Sequence, residues 1–288
     1  MSKLAEMTVL DVQMGLAIHV KAPNGKWLVV DLGSSSQGNG NEEPTKAFRY
    51  KDVAYMVLTH PHIDHISDIL NFDCVSPSIL RHCTGLSDNE ILEQAGNDEN
   101  ARKKYQKYVD VVNRYIAPIA EDDPNNPQNP DNYGGMEIQT FSTSLCDHSN
   151  INNFSVTTVL TLGNAKAVIC GDNETESLDI LMGREDFRSA VKDAYILVAP
   201  HHGRESAFHK DFVDLVNPFV TVISDGKYQD YSASDKYSAK SKGCTVYKRD
   251  GTSVVRKCVT TRNDGNMTIT FGTSDNPQFG GTLYVSLI

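Results

Sequence analysis

Three histidines and one aspartate fall within the short segment T-H-P-H-I-D-H at residues 59–65. Imidazole nitrogens and carboxylate oxygens are ligands that zinc, manganese and iron use in proteins. His60 and His62 are two residues apart and can share one ion, while the adjacent pair Asp64 and His65 can serve a second ion nearby. The spacing therefore predicts a site for two divalent metal ions.

The elements on either side of this segment should hold it in place. Residues 53–58 (VAYMVL) form a continuous apolar run, which predicts a buried strand that ends just before the first histidine. A loop that leaves a strand end can point alternate side chains into one cleft. Residues 66–72 are expected to form a short helix after the loop.

A buried strand followed by T-H-x-H-x-D-H resembles the signature of the metallo-β-lactamase-fold hydrolases. The resemblance implies a mixed α/β (α+β) fold, a four-layer αββα sandwich, with further ligands downstream at strand ends. Candidates occur in the matching order. His148 precedes an expected strand at 155–161, Asp172 follows one at 165–170, and the pair His201 and His202 follows one at 194–198.

The same resemblance implies a division of ligands between two ions. Asp172 would bridge both ions, and Asp64 and Asp172 are the expected catalytic carboxylates. Of the two adjacent histidines, His201 comes directly off the strand and is the expected ligand, which leaves His202 to orient a ligand or face the substrate. The first ion would take His60, His62 and His148, and the second Asp64, His65 and His201.

A narrower resemblance is to the hydrolase domain of the bacterial DNA-uptake protein ComEC and its free-standing relatives, which implies a nuclease-like phosphodiesterase. It covers about residues 8–226, without the segment described next. Three departures affect the expected substrate: the opening D-V-G-Q-G-D is D-V-Q-M-G-L here, Arg204 stands where serine usually follows H-H-G, and a later G-H-P element is missing. The matching motifs are D-V with Gly15, V-D-L-G at 30–33, N-N-x-S at 152–155, G-D at 171–172 and P-H-H-G at 200–203.

The rest of the chain is read as a single domain, residues 1–288, interrupted by a helical insertion or cap at 83–135. Apolar residues recur with helical spacing from 87 to 119, and Ser87 with Glu90 is a capping-box signal. Residues 121–135 are rich in Pro, Asn and Asp, which predicts an exposed loop. The alternative is that these helices are an ordinary part of the scaffold.

Composition excludes several classes of protein. The net charge of −10 disfavours tight, processive DNA binding, although two bound cations would let the site itself accept an anionic substrate. No apolar run reaches 18 residues and no secretory signal is recognisable, so we expect a cytoplasmic protein without a membrane partner. Six scattered cysteines without a C-x-x-C pair predict reduced thiols. The oligomeric state stays open.

These observations predict a hydrolase with two divalent ions, zinc first and manganese or iron also suitable, which attacks with a metal-bridged hydroxide. The expected substrate is an anionic phosphoester, possibly a nucleotide or nucleic acid. The alternatives are a carbonyl-centred hydrolase, such as a lactonase, thioesterase or β-lactamase, and a non-catalytic metal-binding partner protein. Asp31 is expected to orient a histidine or to cap a turn. Arg204, Lys227 and Tyr228 are candidate substrate contacts or solvated surface.

Overall fold

The computed structural model describes residues 3–34, 43–48, 51–226, 231–273 and 281–288. The strands are β1 Leu4–Val9, β2 Ile18–Lys21, β3 Trp27–Val30, β4 Val53–Leu58, β5 Ile79–His82, β6 Glu137–Phe141, β7 Thr157–Leu162, β8 Ala165–Ile169, β9 Ile196–Val198, β10 Val220–Ile223, β11 Cys244–Tyr247, β12 Ser253–Arg256, β13 Cys258–Thr260, β14 Met267–Gly272 and β15 Thr282–Leu287. The α-helices are α1 Pro44–Phe48, α2 Ile63–Ile66, α3 Asp88–Glu93, α4 Glu99–Val112, α5 Thr175–Met182, α6 Glu185–Val191, α7 Lys210–Val216, α8 Ser234–Lys240 and α9 Thr261–Asp264.

The strands form two mixed sheets. The larger has the order β12-β11-β15-β14-β1-β2-β3-β4-β5 and the smaller the order β13-β10-β9-β8-β7-β6. Strands β3, β4 and β5 run parallel in the larger sheet, and β8, β9, β10 and β13 run parallel in the smaller one. The carboxyl ends of parallel strands meet at one edge of a sheet, which is where open α/β sheets place their ligands.

Three apolar cores separate four layers. The first lies between the sheets and contains Val57 from β4 and Val198 from β9. The second covers the outer face of the larger sheet, where Met56 packs with Tyr108 of α4. The third covers the outer face of the smaller sheet with helices α5 to α8. The expected αββα sandwich is confirmed, and β4 is apolar throughout because it packs on both faces.

The chain after β4 differs from the expected single helix at 66–72. Helix α2 begins at Ile63, and a separate 3₁₀ helix spans Ile69–Cys74. Asp64 and His65 therefore lie on a helical turn, with His62 at its N-cap. Because successive residues of a helix point about 100° apart, Asp64 and His65 approach the site from different directions.

The helices of the 83–135 segment cover the larger sheet. The capping box at Ser87 and Glu90 begins α3, and α4 contributes Tyr105, Tyr108 and Val111 to the outer core. Helix α4 also contacts α2 and the 3₁₀ helix that follows it. That this segment is an insertion or cap within one domain stays a prediction. Among the described residues, no helix combines the length and apolar character needed to cross a bilayer.

Candidate metal centre

Loops from both sheets meet at one edge and are joined by backbone contacts. The Val156 amide, before β7, donates to the carbonyl of Thr59, after β4, at 3.0 Å. The Asp172 amide, after β8, donates to the Ser155 hydroxyl at 2.9 Å. The His201 amide, after β9, donates to the carbonyl of Gly171 at 3.0 Å. Residues more than 100 positions apart in sequence are thereby brought to one edge of the sandwich.

Four side chains at this edge form a compact group, called here the four-residue cluster: Asp64, His65, Asp172 and His202. One ligand atom from each lies within 4.8 Å of the others. His202 Nε2 is 3.2 Å from Asp64 Oδ2 and 3.3 Å from Asp172 Oδ2. His65 Nε2 is 3.1 Å from Asp172 Oδ1. Two carboxylates and two imidazoles thus converge on one point.

His60 and His62 form a second group beside the four-residue cluster. His60 Nε2 lies 2.9 Å from His62 Nδ1, so the two rings turn nitrogen atoms toward the same space. His60 Nε2 also lies 3.9 Å from Asp172 Oδ2. The Asp172 carboxylate therefore stands between the two groups, where it can serve both.

Buried partners fix the rings of the cluster. Asp31 is fully buried, and its Oδ2 lies 2.6 Å from His65 Nδ1. The same carboxylate accepts hydrogen bonds from the Thr59 amide and hydroxyl, each at 2.7 Å. His202 Nδ1 donates to the Ser224 carbonyl at 2.8 Å. Because the Nδ1 atoms are engaged, the Nε2 atoms of both histidines are directed at the carboxylates, as in metal sites with an orienting partner.

The charges of the cluster suit a divalent cation. Burial opposes ionisation of Asp64 and Asp172, but the charges of His65 and His202 outweigh it, and both carboxyl pKa values lie below their usual range. Burial likewise lowers the pKa of His202, but Asp172 and Asp64 raise it to about 10. The pKa of His65 is raised for the same reason by Asp172, Asp31 and Asp64.

The donor chemistry also fits a metal. Within the described residues, Asp64 and Asp172 form ion pairs only with histidines. A bound dication would therefore supply the positive charge that the His65 and His202 rings supply here. Burial holds the pKa of His60 and His62 below the usual value, which leaves their rings neutral, as metal ligation requires. The residues present therefore fit divalent ions with nitrogen and oxygen ligands.

Two expected ligands differ from the prediction: His148 lies away from the site, and His201 lies at its margin. His148 is half exposed, with its Nδ1 2.5 Å from Glu90 Oε1 at the start of α3 and its ring against Phe154. His201 lies beside the four-residue cluster, with Nε2 3.9 Å from Asp172 Oδ2 and Nδ1 3.0 Å from Glu174 Oε1. The described structure thus brings together all the expected ligands except His148, with His202 rather than His201 at the centre.

The backbone explains why the neighbours His201 and His202 differ. Both are in the left-handed region, at φ 45° and 53°, and Gly203 continues it at 68°. Left-handed residues other than glycine are costly and concentrate at functional sites. This turn sends the His202 ring between the carboxylates. The sequence-based choice of His201 as the ligand assumes that the chain leaves β9 in an extended conformation.

The remaining candidates lie at the margin. Arg204 follows the turn, is partly exposed, and pairs through its backbone with Ser232. Lys227 and Tyr228 lie outside the described residues. Sequence reasoning did not select Glu174 or Asn152 as site residues. Asn152 donates through Nδ2 to Glu174 Oε1 at 3.0 Å, and the only sequence signal for it is the N-N-x-S motif at 152–155.

Gly33→Ala is expected to disturb the position of Asp64. A Cβ on Gly33 would lie 2.3 Å from the Asp64 carbonyl oxygen and 2.7 Å from that of Leu16, both backbone atoms that cannot move aside. We expect a loss of about 3 kcal/mol in unfolding free energy and reduced metal content, measured by urea unfolding and elemental analysis. The control is Gly96→Ala, whose Cβ meets nothing within 4 Å but whose φ is 50°. We expect it to lose only the roughly 1 to 2 kcal/mol of left-handed backbone strain and to keep the wild-type metal content. Wild-type stability and metal content in Gly33→Ala would contradict the packing described here.

Comparisons with known proteins find two distant structural neighbours and one matching family. A putative metallo-β-lactamase from Thermotoga maritima aligns at 13% identity and a TM-score of 0.36, covering 58% of this chain and 78% of that one. A long form RNase Z from yeast aligns at 12% identity and a TM-score of 0.37, covering 96% of this chain and 49% of that one. Among curated protein sequences, none matches. The model of the metallo-β-lactamase superfamily matches residues 10–218, and the chain therefore belongs to that superfamily.

Proposed function

We propose that this protein is a metal-dependent phosphodiesterase. The observation that carries the proposal is the convergence of Asp64, His65, Asp172 and His202, whose ligand atoms lie within 4.8 Å of one another beside His60 and His62. Superfamily membership supports a hydrolytic metalloenzyme. The choice of phosphodiesters is supported by the ComEC-type motifs at 30–33, 152–155 and 200–203.

We assign two ion positions. The four-residue cluster would hold one ion, and His60 with His62 would hold the other, with Asp172 shared between them. His202 replaces His201 in this assignment because its Nε2 lies within 3.3 Å of an oxygen of each carboxylate. Zinc is the first candidate for the cluster, and manganese and iron suit the same ligands.

Bound divalent ions would supply Lewis acidity, which polarises the scissile bond and lowers the pKa of water. The chain's own residues set the geometry. His65 and Asp172 are almost fully buried, whereas the Asp64 side chain is 31% exposed. The substrate therefore approaches from the Asp64 side. The ionised Asp64 carboxylate, held by His202, would bind the ion of the four-residue cluster on this open side.

Charge is compatible with an anionic substrate despite the net charge of −10. Two divalent ions carry four positive charges against the two carboxylates of the cluster, so the local sign of the site is opposite to that of the chain. We propose that Arg204, which follows the left-handed turn and lies within the described residues, contacts the substrate.

The test is hydrolysis of bis-p-nitrophenyl phosphate by protein reconstituted with Zn²⁺ or Mn²⁺, beside a panel of lactone, thioester and β-lactam substrates. We expect cleavage of the phosphodiester, which should be lost in His202→Ala and retained in His209→Ala. His209 is the N-cap of α7 and pairs with Asp179. Cleavage of a carbonyl substrate alone would overturn the choice of phosphodiester and leave the metal assignment standing. Inactivity on every substrate by fully loaded protein would count against an enzyme.

His148→Ala is expected to leave the metal content unchanged. The ring contacts Glu90 and Phe154, so its removal should loosen the contact between α3 and the 146–150 loop without removing a ligand. Elemental analysis after dialysis measures the metal content, and thermal unfolding measures the loosening. Loss of one equivalent of metal in this variant would instead restore His148 to the ligand set implied by the family resemblance.

A further inference from the structure

The Asn152 side chain is oriented by a partner on one side and lacks one on the other. The residue is 8% exposed, in the 3₁₀ helix Ile151–Phe154. Its Nδ2 donates to Glu174 Oε1 at 3.0 Å. An ionised carboxylate only accepts hydrogen bonds, so this contact identifies the nitrogen and oxygen ends of the Asn152 side-chain amide. Oδ1 therefore points away from Glu174, and among the described residues it is buried without a hydrogen-bond partner.

His62 is the neighbour of Asn152 in the site. The Asn152 side chain lies next to the His62 ring. The Val156 amide, just after the 3₁₀ helix, donates to the carbonyl of Thr59, which precedes His60. This contact ties the segment that carries Asn152 to the segment that carries both histidines.

Glu174 is itself held in place. Its Oε1 lies 3.0 Å from His201 Nδ1, and this contact, with that of Asn152, keeps the pKa of the carboxyl below its usual value. The Asn150 side chain accepts from the Asn152 amide at 3.2 Å and fixes the backbone. A buried acceptor that lacks a hydrogen bond and is held so firmly is expected to have another partner.

We propose that Asn152 Oδ1 completes the ligand set of the ion held by His60 and His62, in the place that the family resemblance gave to His148. The inference rests on the two-ion assignment above. His148 does not fill this place in the described structure because its ring is engaged with Glu90.

A consequence for metal preference follows. An amide oxygen is neutral and hard, so it favours manganese or magnesium more than an imidazole does. The four-residue cluster has two carboxylates, whereas this position has two imidazoles, the amide and a share of Asp172. The two positions therefore differ in affinity, and the cluster fills first.

The experiment is calorimetric titration of the metal-stripped full chain with Mn²⁺ and, separately, Zn²⁺, with bound ions counted by elemental analysis. We expect two binding steps in the wild type. Asn152→Leu should keep the tighter step and weaken the second at least about tenfold. Asn152→Asp, which retains an oxygen at the position, should keep both. Asn113→Leu, at the exposed end of α4, is the surface control, and circular dichroism checks folding.

Each outcome separates this inference from the proposed function. Two unchanged steps in Asn152→Leu would overturn the inference and leave the two-ion site intact. A single step in the wild type, unaffected in Asn152→Leu, would overturn the inference while the four-residue cluster stands. No binding at all by the wild type would overturn the proposed function, and the inference with it.

Discussion

Replacing Asp172 by alanine is expected to lower turnover of the metal-loaded protein at least about a thousandfold. Its carboxylate lies 3.1 Å from His65 Nε2, 3.3 Å from His202 Nε2 and 3.9 Å from His60 Nε2. One substitution would therefore remove an oxygen ligand from both of the proposed ion positions. Steady-state rates on bis-p-nitrophenyl phosphate, with metal in excess, measure the effect.

The matched control for Asp172 is Asp179→Ala. Asp179 is a largely exposed carboxylate on α5 that pairs with His209, and its loss should leave turnover unchanged. Asp172→Asn tests the charge separately, because it keeps the shape of the side chain. Turnover in Asp172→Ala within tenfold of the wild type would show that the reaction does not depend on this carboxylate.

Replacing Asp31 by alanine is expected to cost about 3 to 5 kcal/mol of unfolding free energy and to weaken metal binding about 10- to 100-fold. Burial raises the pKa of this carboxyl, against the influence of His65 and Thr59. Its removal deprives the buried Thr59 amide, the Thr59 hydroxyl and His65 Nδ1 of their carboxylate partner. Urea unfolding and metal titration measure the two effects independently.

Asp31→Asn is the companion variant, because the amide keeps one oxygen for Thr59 or His65. We expect an intermediate loss of stability and a weakened but measurable metal affinity. If Asp31→Ala unfolds like the wild type while metal binding falls, the residue would be an orienting partner without a role in stability. Full metal affinity in Asp31→Ala would contradict the orienting role.

The parts of the structure that could be predicted are those specified by local pattern. The run VAYMVL packs on both faces of its sheet, so six consecutive apolar residues identify β4 directly. The T-H-x-H-x-D-H segment lies at the end of that strand because it follows it in the chain. The four-layer sandwich follows from the superfamily signature and is confirmed by the two sheets and their three cores.

The parts that could not be predicted depend on backbone geometry or on distant contacts. His201 and His202 are chemically identical, and only two successive left-handed residues decide which ring enters the cluster. Nothing in the sequence identifies Asn152 as a metal ligand, and its side chain is oriented by Glu174, 22 residues away. Helix α2 begins at Ile63 rather than after His65. The helix is too short for the spacing of its apolar residues to reveal where it begins.

Metal binding by the four-residue cluster underlies the whole proposed function. Equilibrium dialysis of chelator-stripped protein against Zn²⁺, with bound metal counted by elemental analysis, tests it most directly in the matched variants His202→Ala and His201→Ala. We expect tight binding in the wild type and in His201→Ala, and loss of the tightest ion in His202→Ala. His202 Nε2 lies within 3.3 Å of both Asp64 and Asp172, whereas His201 Nε2 lies 3.9 Å from Asp172. Wild-type binding in His202→Ala, or no binding by the wild-type protein, would contradict metal binding at the four-residue cluster.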